Sequence, residues 1–177
     1  MIELYTWGTP NGRKVSVMLE ECALAYNVHK INIGKDEQFA PEFLKLNPNG
    51  KIPAIVDSEG PDGKPISLME SGAILLYLAS KTGQFLPADT RGRWAVTEWL
   101  MFQMASVGPM FGQLAHFRVY AKGEEHAYSR ARYATEVRRI YDVVEGRLGE
   151  APWLAGNDYS IADIRSEEHT TELQSRV

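Results

Sequence analysis

A chain of 177 residues with 44% hydrophobic residues, 24% charged residues and a net charge of -4 has the composition of an ordinary globular protein holding one domain or two small ones. Mild acidity leaves no clustered Lys and Arg for nucleic acid or an anionic membrane, and no apolar run approaches the length of a membrane span, so neither partner is expected. The single cysteine, Cys22, excludes an internal disulfide and a cysteine-built metal cage, and His29, His116, His126 and His169 lack metal-ligand spacing, so no metal is expected.

The first segment, IELYTW (2–7), predicts a strand from its β-branched and aromatic content, and it follows no basic start or apolar stretch of a signal peptide, which points to the cytoplasm. After the breaker GTPNG, residues 13–25 place Val15, Met18, Leu19 and Cys22 at helical spacing. Cys22 is therefore expected in the core and not as a nucleophile. Residues 27–33 read as a second strand, which completes a βαβ unit, and a short helix is expected after Pro41. KIPAIVD (51–57) reads as a strand, ISLME (66–70) as another, and SGAILLYLASKTG (71–83) as an apolar helix for which Ser71 is the N-cap candidate. Pro53 inside the run 51–57 removes a ladder donor, so an edge strand is expected there, facing something other than a neighbouring strand. Past GQFLPADTRG the strand signals stop. Residues 91–120 and 124–149 predict two long helices, the second with a stripe of Tyr133, Val137, Ile140, Tyr141, Val144 and Leu148.

A βαβ-α-ββα half followed by an all-helical half resembles the cytosolic glutathione transferases. TPNGRKV, NPNGKIPAIVD and MESGAILLYLA are similar to the bacterial nu-class members, which are glutathione-dependent disulfide-bond oxidoreductases, and PWLAGNDYSIADI is similar to a later helix-capping segment of the family. The resemblance covers residues 1–164. It implies a thioredoxin-like, glutathione-binding domain over 1–83, a linker over 84–90 and an all-α domain over 91–164 that is incomplete. It also implies glutathione as co-substrate and a homodimer formed through the first two long helices.

The resemblance assigns roles residue by residue. Thr9 and Asn11, in the TPNG segment where a thioredoxin-like protein would carry Cys-x-x-C, are expected to donate to the glutathione thiolate. Lowering a thiol pKa of about 8.5 by about two units requires about 2.7 kcal/mol favouring the thiolate. A hydrogen bond to a charged acceptor contributes about 1.5–3 kcal/mol and a helix N-terminus about 0.3–1 kcal/mol, so two neutral donors suffice. A cis Ile52–Pro53 bond is expected to present the Ile52 backbone to the extended tripeptide. Glu70 and Ser71 are assigned to the ammonium and carboxylate of the γ-glutamyl end, with Gln38 near that group, Lys51 beside the glycine carboxylate and Arg132 on the second long helix. Arg130 is an alternative to Arg132. Tyr5 lies inside the first strand, too early for a catalytic tyrosine.

The activity so implied is reduction of small disulfides by bound glutathione thiolate. Conjugation to an electrophile or peroxide reduction is the alternative enzyme reading, and a non-catalytic binding or assembly module the alternative of another class. Near the end, YSIADI has the pattern of a capping box, with Ser160 as N-cap and Asp163 three residues on. RSEEHTTELQSRV (165–177) shows no helical stripe and is expected to be a non-native tail replacing further helices.

Overall fold

The computed structural model describes residues 1–121 and 123–166, which divide into two compact units, the first ending at Leu86 and the second beginning at Pro87. The first unit is a four-stranded sheet with helices. Strands β1 (Ile2–Thr6), β2 (Tyr26–Lys30), β3 (Ala54–Asp57) and β4 (Ile66–Met69) lie in the order β2-β1-β3-β4. β1 runs parallel to β2 and antiparallel to β3, and β3 is antiparallel to β4. The parallel pair needs a crossover, which helix α1 (Pro10–Glu21) supplies.

Alternation along β1 buries Ile2, Leu4 and Thr6. Val15, Met18 and Leu19 of α1 are fully buried, as are Ile74, Leu75 and Leu78 of α3 (Ser71–Thr82), which packs against α1. Cys22 is buried beside Thr82, with Sγ 3.6 Å from Oγ1, and burial pushes its thiol pKa up. α3 stops at Gly83, which takes the left-handed conformation that only glycine adopts without strain, φ 71°, and donates from its N–H to Ala79 O at 2.8 Å.

Asp57 ties β3 to α3. Its buried carboxylate accepts from Tyr77 Oη at 2.6 Å, Lys81 Nζ at 2.5 Å and Glu59 N at 2.9 Å. Burial raises its pKa, but the bonds from Lys81, Tyr77 and the Glu59 amide outweigh that and hold the carboxyl below its usual value.

Three expectations are corrected in this unit. The strand bearing Pro53 is not an edge: β3 lies between β1 and β4, and Pro53 precedes its first residue, Ala54. No ladder bond is lost because the ring stands just outside the ladder. Ser71 is not the N-cap of α3 but its first helical residue; the cap position is Glu70, with φ 67°. The strand expected over 27–33 is Tyr26–Lys30, followed by a 3-10 turn at Ile33–Lys35, and the short helix α2 spans Pro41–Leu46.

The second unit is helical among its described residues: α4 (Thr90–Phe102), a π turn at Gln103–Val107, α5 (Gly108–Val119) and α6 (Ala127–Glu150). Asp89 caps α4, Oδ1 accepting from Gly92 N at 2.9 Å. The single helix expected over 91–120 is interrupted because Pro109 has no N–H for an i-4 carbonyl and its ring crowds the preceding turn. α5 and α6 enclose a core of Val107, Phe111, Leu114, Val137 and Ile140. Arg147 of α6 holds the following loop by donating to Leu154 O at 2.7 Å.

That loop leads to a capping box. Asp163 Oδ2 accepts from Ser160 N at 3.0 Å and Ser160 Oγ at 2.8 Å, and Asp163 Oδ1 accepts from Leu154 N at 2.9 Å. The chain is helical over 161–166, so Arg165 and Ser166, placed by the sequence in a non-native tail, continue this helix. Arg165 is buried and its Nε lies 3.0 Å from Met104 Sδ. The rest of that predicted tail lies outside the described residues. No helix among the described residues is long and apolar enough to cross a membrane.

Candidate functional site

Strand directions gather most of the predicted residues of the first unit at one end of its sheet. The register aligns Tyr5 with Ala54 and Ala54 with Met69 in adjacent antiparallel strands. The segment after β1, the segment before β3 and the segment after β4 therefore emerge side by side. They carry Thr9 and Asn11, then Ile52 and Pro53, then Glu70 and Ser71.

Thr9 is the N-cap of α1, with φ -119° and ψ 161°, and Pro10 follows at the first helical position, where a missing N–H costs nothing. The Thr9 hydroxyl oxygen accepts from Gly12 N at 3.4 Å. Its O–H proton is thereby left to donate elsewhere. Asn11 is exposed, and its Oδ1 accepts from Lys14 Nζ at 2.9 Å, which leaves the Nδ2 amide group as a donor. Gly12 lets the helix start approach the loop: a Cβ there would come within 2.3 Å of Trp7 O and 2.4 Å of Thr6 Oγ1. Tyr5 is half-buried and stacks on His29 with ring centroids 4.6 Å apart, inside the strand as the sequence indicated.

The second segment is shaped by Asn47, a buried side chain the sequence reading passed over. Its Oδ1 accepts from Asn49 N at 2.9 Å, its Nδ2 donates to Lys51 O at 2.5 Å, and its backbone O accepts from Gly50 N at 3.0 Å. Gly50 has φ 61°, and a Cβ there would meet the Phe39 ring at 2.9 Å, so this turn and the segment holding Gln38 are pressed together. The Asn-Pro-Asn-Gly pattern was the available signal. The Ile52–Pro53 bond is cis. The Ile52 N–H and C=O have no hydrogen-bond partner among the described residues.

Gln38 is buried, its Nε2 lies 3.5 Å from Asp36 Oδ1, and its Oε1 is a buried acceptor without a partner among the described residues. Such an atom is costly unless something donates to it. Lys51 and Glu70 are exposed while Ser71 is buried at the start of α3. The positive φ of Glu70 is an uncommon conformation for a residue with a Cβ, and it falls at the N-terminus of α3.

Arg132 belongs to the second unit. It is exposed on α6 beside a cavity of 300 Å³ that it lines with Tyr128, Ala131, Thr135 and Glu136. Arg130 is engaged locally, donating from Nη1 to Gly123 O at 2.7 Å and lying 3.9 Å from Glu124. Among the described residues no group of His, Cys, Asp and Glu is arranged to hold a metal.

Family models for the N-terminal and C-terminal domains of glutathione S-transferase match residues 9–81 and 102–171. The chain belongs to the glutathione S-transferase family. The chain is 52% identical over 165 residues to the disulfide-bond oxidoreductase YfcG of Escherichia coli, a match that covers 93% of the present chain and 76% of that protein. It superposes with a TM-score of 0.94 and 46% identity on the Pseudomonas putida glutathione transferase, whose structure holds one glutathione disulfide per subunit; 99% of this chain and 76% of that one are covered. A Burkholderia graminis glutathione transferase with two glutathione molecules per subunit gives a TM-score of 0.94 at 50% identity, covering 98% and 72% of the respective chains. The thioredoxin-like sheet domain followed by a helical domain is thus the glutathione S-transferase fold.

Proposed function

We propose that this chain is a glutathione-dependent disulfide-bond reductase in which bound glutathione provides the reacting sulfur. One observation carries the reading: Thr9 and Asn11, at the head of α1, each have an oxygen engaged as acceptor, by Gly12 N and Lys14 Nζ, while the Thr9 hydroxyl proton and the Asn11 Nδ2 amide are placed to donate. Two donors beside the positive end of a helix stabilise a thiolate and give a neutral thiol little. Similarity to a disulfide-bond oxidoreductase, and to transferases holding glutathione disulfide or two glutathiones, supports the same chemistry. No thiol of this chain competes, since Cys22 is buried with a raised pKa.

The reaction is written in two exchanges. The glutathione thiolate attacks one sulfur of a disulfide RSSR′, forming a mixed disulfide and breaking the original S–S bond, and R′S⁻ leaves and takes a proton. A second glutathione thiolate attacks the glutathione sulfur of the mixed disulfide, giving glutathione disulfide and RS⁻, which is protonated in turn. Two glutathiones are oxidised and one disulfide is reduced to two thiols.

In this reading the tripeptide pairs with the free backbone of Ile52 ahead of Pro53, as an added strand. Its γ-glutamyl ammonium meets Glu70 and the adjacent carboxylate meets Ser71 and the α3 amides. The orphaned Gln38 Oε1 receives an N–H from the same end, and Lys51 takes the glycine carboxylate. Arg132 is preferred to Arg130 because Arg130 already serves the Gly123 carbonyl. Exposed Trp94 and Met101 on α4 favour a homodimer, and the free Cys22 suits a cytoplasmic protein. The test is turnover of bis(2-hydroxyethyl) disulfide with glutathione. Turnover that falls at least tenfold in Asn11→Ala is expected; no turnover by the wild-type chain with glutathione bound would favour a non-catalytic binding module.

A further inference from the structure

We infer that Lys14 is a positioning residue for Asn11, selecting the amide orientation in which Asn11 is a donor. The inference rests on the reading of Asn11 as a thiolate donor.

Lys14 is the least expected residue on its helix. It is fully buried on α1, next to Val15 and one turn before Met18, on a face that an aliphatic residue would fill at no electrostatic cost. A buried ammonium is unfavourable unless hydrogen-bonded, and within the first half of a helix it also sits toward the positive end of the dipole. Its Nζ donates to Asn11 Oδ1 at 2.9 Å across the i, i+3 spacing of one helical turn. The position makes little sense as packing. It makes sense as control of a neighbouring amide.

A primary amide has two nearly isosteric ends, and a half-turn about its last side-chain bond exchanges a carbonyl for an NH2 group. Unrestrained, Asn11 could present either end to a ligand. The carbonyl end would repel a thiolate. An ammonium has donors and no acceptor, so Lys14 accepts no approach by Nδ2 and fixes Oδ1 toward itself. The NH2 group is thereby held on the side away from Lys14. The charge also draws electron density toward Oδ1, which makes Nδ2–H a stronger donor, and adds positive potential near the sulfur.

The experiment compares wild type, Lys14→Met, Lys14→Arg, Asn11→Ala and the double variant Lys14→Met/Asn11→Ala in the full chain. Ultraviolet titration of the thiolate of bound glutathione and turnover of bis(2-hydroxyethyl) disulfide are the readouts. Lys14→Met is expected to raise the thiol pKa by about one unit, which from a pKa lowered by about two units to about 6.5 is roughly a threefold loss of thiolate at pH 7. Turnover falls by a similar factor, and glutathione affinity changes less than threefold. Lys14→Arg, which keeps a charged donor, recovers part of the pKa. In the Asn11→Ala background Lys14→Met adds less than a twofold loss, because the group it positions is gone.

A packing role gives a different pattern, in which Lys14→Met lowers turnover by the same factor with and without Asn11 and leaves the bound thiol pKa at its wild-type value. That pattern overturns the inference while leaving the reading of Asn11 intact. If Asn11→Ala itself leaves the pKa unchanged, the reading fails and the inference with it. Should Lys14→Met not fold, a bound thiol pKa raised less in Lys14→Arg than in Lys14→Gln, both proteins being folded, supports the inference; equal pKa values in the two, whether raised or not, overturn it.

Discussion

The side chains at the head of α1 differ in what each can give to a sulfur. Thr9 offers one proton from a hydroxyl whose oxygen is bonded to Gly12 N, and Asn11 offers an amide held by Lys14. On the proposed reading, removing either donor deletes a bond to a charged acceptor, about 1.5–3 kcal/mol, or roughly one to two units in the pKa of the bound thiol. Asn11→Ala is expected to raise that pKa and to cut disulfide turnover by ten- to a hundredfold, with a smaller change in glutathione affinity. Thr9→Ala should do the same to an equal or lesser degree, with an added loss of helix capping of about 0.5–2 kcal/mol in chemical denaturation. An unchanged thiol pKa in both variants would remove the assigned roles. Thr9 and Asn11 could be singled out in the sequence because their neighbours form a motif. Lys14 could not: a lysine between Arg13 and Val15 reads as solvated, and only the fold shows that it is buried. Asn47 was hidden for a related reason, since its three bonds belong to a turn whose closure depends on Gly50 and Phe39.

Elements fix where such groups stand, and two of them rest on single residues. At Gly12 any Cβ meets the Trp7 carbonyl and the Thr6 hydroxyl, so Gly12→Ala must push α1 away from the loop. Overpacking of this kind costs typically about 1–3 kcal/mol. Because the displaced residues include Thr9, disulfide turnover should fall along with the urea midpoint. Retained turnover with full stability would mean the helix start is not tied to the loop as described. At the other end, Asp163 satisfies Ser160 N, Ser160 Oγ and Leu154 N. Asp163→Ala leaves two buried amides without an acceptor, at about 1–3 kcal/mol each, whereas Ser160→Ala removes a cap contributing about 0.5–2 kcal/mol. Thermal melting should therefore rank Asp163→Ala below Ser160→Ala. The capping box was legible because its residues stand three apart, Ser160 and Asp163. The centrality of β3 was not, since Pro53 carries the same local penalty one residue outside a ladder as inside it. The π turn at Gln103–Val107 had a sequence signal in Pro109, which the apolar character of the flanking residues masked.

At the scale of the whole chain, the change from alternating strands and helices to helices alone carried the fold class, because periods of two and of 3.6 residues separate well over segments this long. What periodicity cannot carry is how a sheet is fastened to the helix beside it, and here an ionisable group does that work. Asp57 sits in the central strand β3, buried, and holds Tyr77 and Lys81 of α3 and the Glu59 amide. Its folded pKa lies below its unfolded value of about 3.9. The folded state therefore binds the proton less readily, so the stabilisation is fully present above the unfolded pKa and is lost as pH falls through the folded one. Stability measured by denaturant at a series of pH values should be flat in this contribution near neutrality and fall below about pH 4. Asp57→Asn should lower stability at pH 7 by about 1.5–3 kcal/mol, since a neutral amide replaces a charged acceptor for three donors. It should also reduce the acid slope, so that the wild-type and variant curves converge as the pH drops. Tyr77→Phe provides the control: it removes one donor, leaves the carboxylate with Lys81, and should keep most of the slope. Parallel wild-type and Asp57→Asn curves, separated by a constant gap down to pH 3, would show that this carboxyl does not titrate with unfolding and that the attachment of α3 to the sheet rests on packing of Ile74, Leu75 and Leu78 instead.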